Sequence, residues 1–184
     1  MRAFASVLGA LAFVAGCDPV PPPGTLIGKF HVLSTLVDNN CGAAAMPTVD
    51  PSAYDIEVRE SGSTAYLRNG AENPFQEGTI TLAGDVYFAA TASTTVIAAD
   101  AGIEGCVILQ GEVINGHVIR PVDGGMDGGE IVDAGTDGGA PFTASHAVQF
   151  SVSPGSNCSA LLTVFGGTFD QLPCAAHFSL VGNY

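Results

Sequence analysis

Tyr54-Asp55-Ile56-Glu57-Val58-Arg59, then Glu60-Ser61-Gly62-Ser63 and a second run Thr64-Ala65-Tyr66-Leu67-Arg68, is the stretch that decides the fold. Tyr54, Ile56 and Val58 alternate with Asp55, Glu57 and Arg59, and a period of two puts the apolar set on one face of a strand. The small polar residues between the runs let the second return beside the first, so the segment reads as a half-buried β-hairpin. Asp55 and Glu57 share the outer face and read as solvated surface.

The same period recurs on both sides. Leu26, Gly28, Phe30, Val32, Ser34 and Leu36 alternate with Lys29, His31 and Thr35; His146, Val148, Phe150 and Val152 alternate with Ala147, Gln149 and Ser151. Gly84-Asp85 reads as a type II′ turn between Thr79-Ile80-Thr81-Leu82 and the run from Val86 to Ala99. Asn115-Gly116 reads as a type I′ turn between Cys106–Ile114 and His117–Arg120, because that pair tolerates positive φ. Pro154-Gly155-Ser156-Asn157 turns the chain again, and Ala160–Phe165 and Ala176–Val181 read as the last two strands. No segment of ten residues has the apolar period of an amphipathic helix. The expected fold is all-β: a single antiparallel β-barrel or β-sandwich of about 8–10 strands.

Composition agrees with that. Hydrophobic residues make up 47% of the 184 and charged residues 12%, with 24 glycines, a balance suited to sheets of small and β-branched side chains. Two segments fall outside the pattern. Asp18-Pro19-Val20-Pro21-Pro22-Pro23-Gly24 is proline-rich and reads as a short extended tether of about 3 Å per residue. From about Pro121 to Pro141 the chain carries Asp-Gly-Gly at Asp123, Asp127 and Asp137, with Glu130 and Asp133 and no basic residue; it reads as a disordered acidic loop within the β domain.

At the N-terminus Arg2 precedes an apolar run, Ala3 to Phe13, of about a dozen residues, too short to span about 30 Å of hydrocarbon as a helix. It ends on Val14-Ala15-Gly16-Cys17, which resembles the lipobox of bacterial lipoproteins. The resemblance implies a signal peptide over 1–16, removal before Cys17, and acylation of Cys17 as a membrane anchor, with 17–24 the tether and 25–184 the β domain. It places the protein in the cell envelope, periplasm-facing or on the cell surface; Asp18, next to the cysteine, keeps some relatives at the inner membrane. The Asp/Gly-rich tract is similar in composition to those of myxobacterial lipoproteins. Gly28-Lys29-Phe30 at the start of a strand and Gly182-Asn183-Tyr184 at the close resemble lipocalin-like barrels in outline. Those barrels carry Gly-x-Trp at the first point, and this chain has no tryptophan.

With Cys17 assigned to lipid, Cys41, Cys106, Cys158 and Cys174 remain, an even set that reads as two disulfides in an exported chain. Three pairings are open. Their spacing favours Cys158 with Cys174, which leaves Cys41 with Cys106.

Removing Arg2 with the signal leaves four Lys and Arg against 18 Asp and Glu, a net charge of −14 that disfavours nucleic acid as a partner. The acids of the glycine-rich tract lack the alternate spacing of an EF-hand loop. His31, His117, His146 and His177 fall on four separate expected strands without ligand spacing, so no metal or other cofactor is assigned. Gly-x-Ser-x-Gly, Ser-x-x-Lys and phosphate-binding glycine loops do not occur, and no catalytic residue is assigned. The expectation is a non-enzymatic envelope lipoprotein whose β domain binds a protein, glycan or envelope component. The alternative is lipocalin-like carriage of a small hydrophobic ligand in a mouth lined by residues such as Phe30, Val148 and Phe150.

Overall fold

The computed structural model describes residues 22–46, 51–97, 105–120 and 141–184. Cys17, the lipobox and the acidic tract over 121–140 lie outside the described residues. Eight strands, β1 (Thr25–Asn39), β2 (Ser52–Ser61), β3 (Thr64–Asn69), β4 (Gln76–Ile80), β5 (Asp85–Ile97), β6 (Cys106–Val118), β7 (Phe142–Val152) and β8 (Cys174–Asn183), form a closed antiparallel barrel in chain order. Of the two expected architectures the barrel is the one adopted. Closure comes from β1 pairing with β8, His31 opposite Asn183 through Asn39 opposite Ala176.

The deciding hairpin forms as read: Ser61 pairs with Thr64 around Gly62 at φ 63°. Lys29, His31 and Arg59 point outward, while Phe30, Val32, Ile56, Val58, Leu67, Phe88, Phe142 and Leu180 fill the bore. Phe30, Phe88 and Phe142 are at most 1% exposed, and Phe30 stacks on Phe142 at 5.6 Å between ring centroids.

Four local expectations are corrected. In β1 the register shifts between Leu26 and Gly28, so Ile27 is buried and Leu26 is exposed; a bulge swaps their faces. The β4–β5 turn is the three-residue loop 82–84, closed by the Thr81 amide donating to the Asp85 carbonyl, with Gly84 third at φ 98° rather than first. Asn115-Gly116 is no turn at all. It continues β6, paired with Tyr87 and Val86 on one side and Ser145 and Ala144 on the other. A Cβ at Gly116 would collide with Ala144 and the Thr143 carbonyl, so this glycine serves close strand approach. Finally, Ala160–Phe165 is not a strand but two single-turn 3-10 helices, Ser159–Leu161 and Thr163–Phe165, in the long β7–β8 connection.

The disulfides form, with the other pairing: Cys41–Cys174 and Cys106–Cys158. Barrel closure is the reason. Where β1 runs out beside the start of β8, the Asn40 amide donates to the Ala175 carbonyl, and the next step along that seam is Cys41 beside Cys174. The chain leaving β7 folds back on the start of β6, Asn157 N–H to Gly105 carbonyl, which lays Cys158 on Cys106.

The two ends of the barrel differ. At one end Arg59 of β2 donates to the carbonyls of Pro23 (2.8 Å) and Gly24 (3.0 Å) and so fixes where the chain enters. There Arg120 also joins Glu60 (2.8 Å) to the Thr81 and Leu82 carbonyls. Both disulfides lie at the opposite end, with the 40–46 and 153–173 loops.

Peptide mapping of the non-reduced protein should recover the Cys41–Cys174 and Cys106–Cys158 fragments. Replacing either pair by serine should cost about 2–5 kcal/mol and lower Tm by roughly 5–15 °C in a calorimetric scan.

Candidate functional site

The interior is apolar at the chain-entry end, carries a polar layer at mid-barrel and is apolar again toward the disulfides. β1 contributes Ser34, β2 Tyr54, β6 Gln110 and Glu112, and β7 His146, all at inward positions of their strands by the alternation with Val32, Ile56, Ile108, Ile114 and Val148. Gln110 and Glu112 are two apart on one strand and therefore share a face; the Gln110 Nε2 donates to Glu112 Oε1 at 2.6 Å. His146, diagonal to Glu112 across the β6–β7 seam, brings Nε2 to 3.6 Å from Glu112 Oε2. That is ion-pair distance, longer than a hydrogen bond, and the nitrogen is otherwise buried with no hydrogen-bond partner. The His146 ring lies 5.8 Å from that of Phe178.

His146 first, and Gln110 after it, hold the Glu112 carboxyl below the usual carboxylate range against the burial that pushes it up. Burial drives the Tyr54 phenol above its ordinary value and the Glu112 charge adds to this, while a hydrogen bond with Ser34 pulls it back in part. The five side chains therefore form one electrostatically connected layer across the bore. Leu36, Met46, Ile114, Ala144 and Phe150 pack on the apolar core around it.

Solvent reaches this layer. β4 ends its pairing to β5 at Phe88, whereas β5 runs on beside β6 to Ile97. Ala90 and Ala92, inward by parity and opposite Glu112 and Gln110, are exposed, and the Glu112 side chain is 38% exposed. The mouth opens where the β3–β4 wall is low. Across it, Ile108, Cys106 and Cys158 pack with Phe150, Leu161 and Phe169, so the 153–173 loop closes the opposite side. The chain-entry half of the bore is filled instead: Phe30 stands between Phe142 and Tyr184, away from the mouth.

Of the two outer acids, Asp55 is solvated as expected and Glu57 is not. Glu57 is only 7% exposed, because Arg59 Nη1 (2.8 Å) and Arg68 Nη2 (2.6 Å) each take one of its oxygens. Burial pushes the Glu57 carboxyl up, but the two guanidinium groups outweigh it and leave the group below its ordinary value. Asp55 remains exposed, facing His31 at 2.8 Å. A groove of about 410 Å³ runs over this outer face between Lys29, His31, Asp55, Arg68 and Tyr184.

The four histidines stay on four strands, each beside an acid: His31 opposite Asp55, His117 opposite Asp85, His177 opposite Asp38, and His146 diagonal to Glu112. Among the described residues no three His, Cys, Asp or Glu side chains gather into a metal-binding group. Sequence reading missed the polar layer. Its signal was parity: His146 shares a face with Val148 and Phe150, and Glu112 shares one with Ile108 and Ile114. No family model, curated protein or solved structure matches the chain.

Glu57 and Glu112 should respond oppositely to removal. Glu57→Gln leaves two partly exposed arginines without their shared charged acceptor and should cost about 1–3 kcal/mol in urea unfolding at pH 7. Because the folded pKa is depressed, that contribution is present above the ordinary glutamate value of about 4.3 and fades as pH falls through the folded value, so wild type and variant should converge in acid. Glu112→Leu, which replaces a half-solvated charge by apolar volume, should leave stability unchanged or raise Tm by a few degrees.

Proposed function

We propose that the chain is a cell-envelope lipoprotein, cut before Cys17 and held on a bilayer through lipid on that residue, whose barrel is a binding module with its site in the mouth. The observation that carries the binding reading is the solvent-reached layer of Ser34, Tyr54, Gln110, Glu112 and His146 inside an otherwise apolar bore. An apolar bore with a few convergent polar groups is the form small-molecule sites take. A purely structural barrel has no use for a carboxylate there.

Polarity supports the anchored arrangement. The chain enters at the Arg59 end and the mouth opens at the disulfide end. About ten residues of tilted strand, at about 3.3 Å each, separate the two by about 25 Å. A bilayer holding Cys17 would face the closed end, and the mouth would face away. The outward side chains Lys29, Asp55, Glu57, Arg59 and Arg68 suit a barrel that meets water rather than lipid.

Capture of a protein or glycan is the second reading, favoured by Val164 (79% exposed) and Phe165 (68%) on the loop beside the mouth. Of the serine, threonine and cysteine nucleophiles that hydrolases use, the layer holds only Ser34, which is 6% exposed and bound to Tyr54.

Metabolic labelling with a palmitate analogue should mark the wild type and leave Cys17→Ala unlabelled; equal labelling would remove the anchor. Native mass spectrometry of the purified protein should show added small-molecule mass, reduced by at least half in His146→Ala. An adduct-free spectrum at native charge states would count against the mouth as a ligand site.

A further inference from the structure

We infer that the mouth takes an amphipathic organic cation, an ammonium head on an apolar tail, with Glu112 as the counter-ion. This rests on the small-ligand reading of the mouth and narrows it to one chemistry.

Charge balance inside the bore selects the head group. Glu112 is held ionised by its neighbours and is the carboxylate of the polar layer. None of the four described Lys and Arg side chains shares that space. Lys29 lies outside between buried Gly28 and Phe30, Arg59 and Arg68 are spent on Glu57, and Arg120 is bound to Glu60 at the closed end. The nearest basic group is the His146 imidazole, 3.6 Å from Glu112 Oε2 and beyond hydrogen-bond reach. An anionic head, such as that of a fatty acid, would meet a carboxylate that no described lysine or arginine neutralises. A cationic head would give it a direct, charge-assisted partner.

The surroundings fit the rest of such a molecule. Gln110 already occupies one Glu112 oxygen, whereas the other has only His146 at 3.6 Å, beyond hydrogen-bond reach, so a donor from a ligand has an acceptor available. Tyr54 and Phe178 bring aromatic rings to the layer, and ring faces attract ammonium groups. Leu36, Met46 and Phe150 provide apolar surface for a tail. A net charge of −13 on the whole chain steers cations toward it and anions away.

The test is isothermal titration of the purified full chain with octylammonium, octanoate and octanol at low salt. Octylammonium should bind at least ten-fold tighter than octanoate. Glu112→Gln should bring the two within about two-fold, whereas Asp55→Asn, which removes the same charge from the outer face, should keep the preference. The wild-type comparison stands by itself if Glu112→Gln does not fold. Equal or tighter octanoate binding, a preference that survives in Glu112→Gln, or one lost equally in Asp55→Asn would each overturn the inference while leaving the mouth a binding site. Binding of none of the three would overturn the small-ligand reading together with the inference.

Discussion

The β1–β8 seam is the contact on which the rest of this structure depends. It joins segments some 150 residues apart, His31 to Asn183 and Asn39 to Ala176, and turns an eight-strand meander into a ring. Without it both strands would present a free edge of unpaired amides and carbonyls. With it, Cys41 falls beside Cys174, and His177 falls opposite Asp38. Phe30 is enclosed between Phe142 and Tyr184 by the same closure. Such non-local pairing carries a large loop-closure entropy, which falls with a cross-link at the seam's own end. Cys41–Cys174 is in the place where a staple most directly holds the ring closed.

Two kinds of buried charge coexist, and their surroundings separate them. Glu57 is a finished structure: both oxygens are taken by guanidinium groups, one of which also grips the Pro23 and Gly24 carbonyls, and Arg68 lies 4.6 Å over the Phe75 ring. It binds the chain-entry segment to the hairpin and uses both carboxylate oxygens, while Arg68 Nε beside it is buried without a hydrogen-bond partner. Glu112 is unfinished. It has one good hydrogen bond, an imidazole just out of reach, and open access to water. A polar group in a core costs stability unless its partners are supplied, and around Glu112 they are supplied only in part.

The strands were readable because their information is local. Alternation in Tyr54–Arg59 and in Phe30–Val32–Ser34 survives folding unchanged, and the inward faces of β1, β2, β7 and β8 follow from it. What failed was local reading applied to non-local causes. Asn115-Gly116 has turn chemistry, but Gly116 is demanded by Ala144 on a neighbouring strand. Cys158 and Cys174 are near in sequence, yet ring closure sends them to partners 52 and 133 residues away. Leu26 and Ile27 exchange faces at a bulge that no composition marks. The polar layer was hidden for a related reason. Its five members come from four strands, and each taken singly is an ordinary strand residue; only the closed ring shows that their inward faces meet.

Charge placement gives the barrel a direction. Arg59 and Arg120 gather at the chain-entry end, neutralised by Glu57 and Glu60, and they lock together the four backbone carbonyls of Pro23, Gly24, Thr81 and Leu82. In the mouth no lysine or arginine among the described residues reaches Glu112, whose basic neighbour is His146 at 3.6 Å, and the nearby rim carries Asp38 and the exposed Glu72. A chain this acidic is repelled by anionic lipid heads at every approach, and close residence at a bilayer would require a covalent lipid rather than surface attraction. The proposed anchor and the proposed ligand are thus two consequences of one distribution: negative charge that forbids adhesion to the membrane is the same charge that, focused in the mouth, selects a cation.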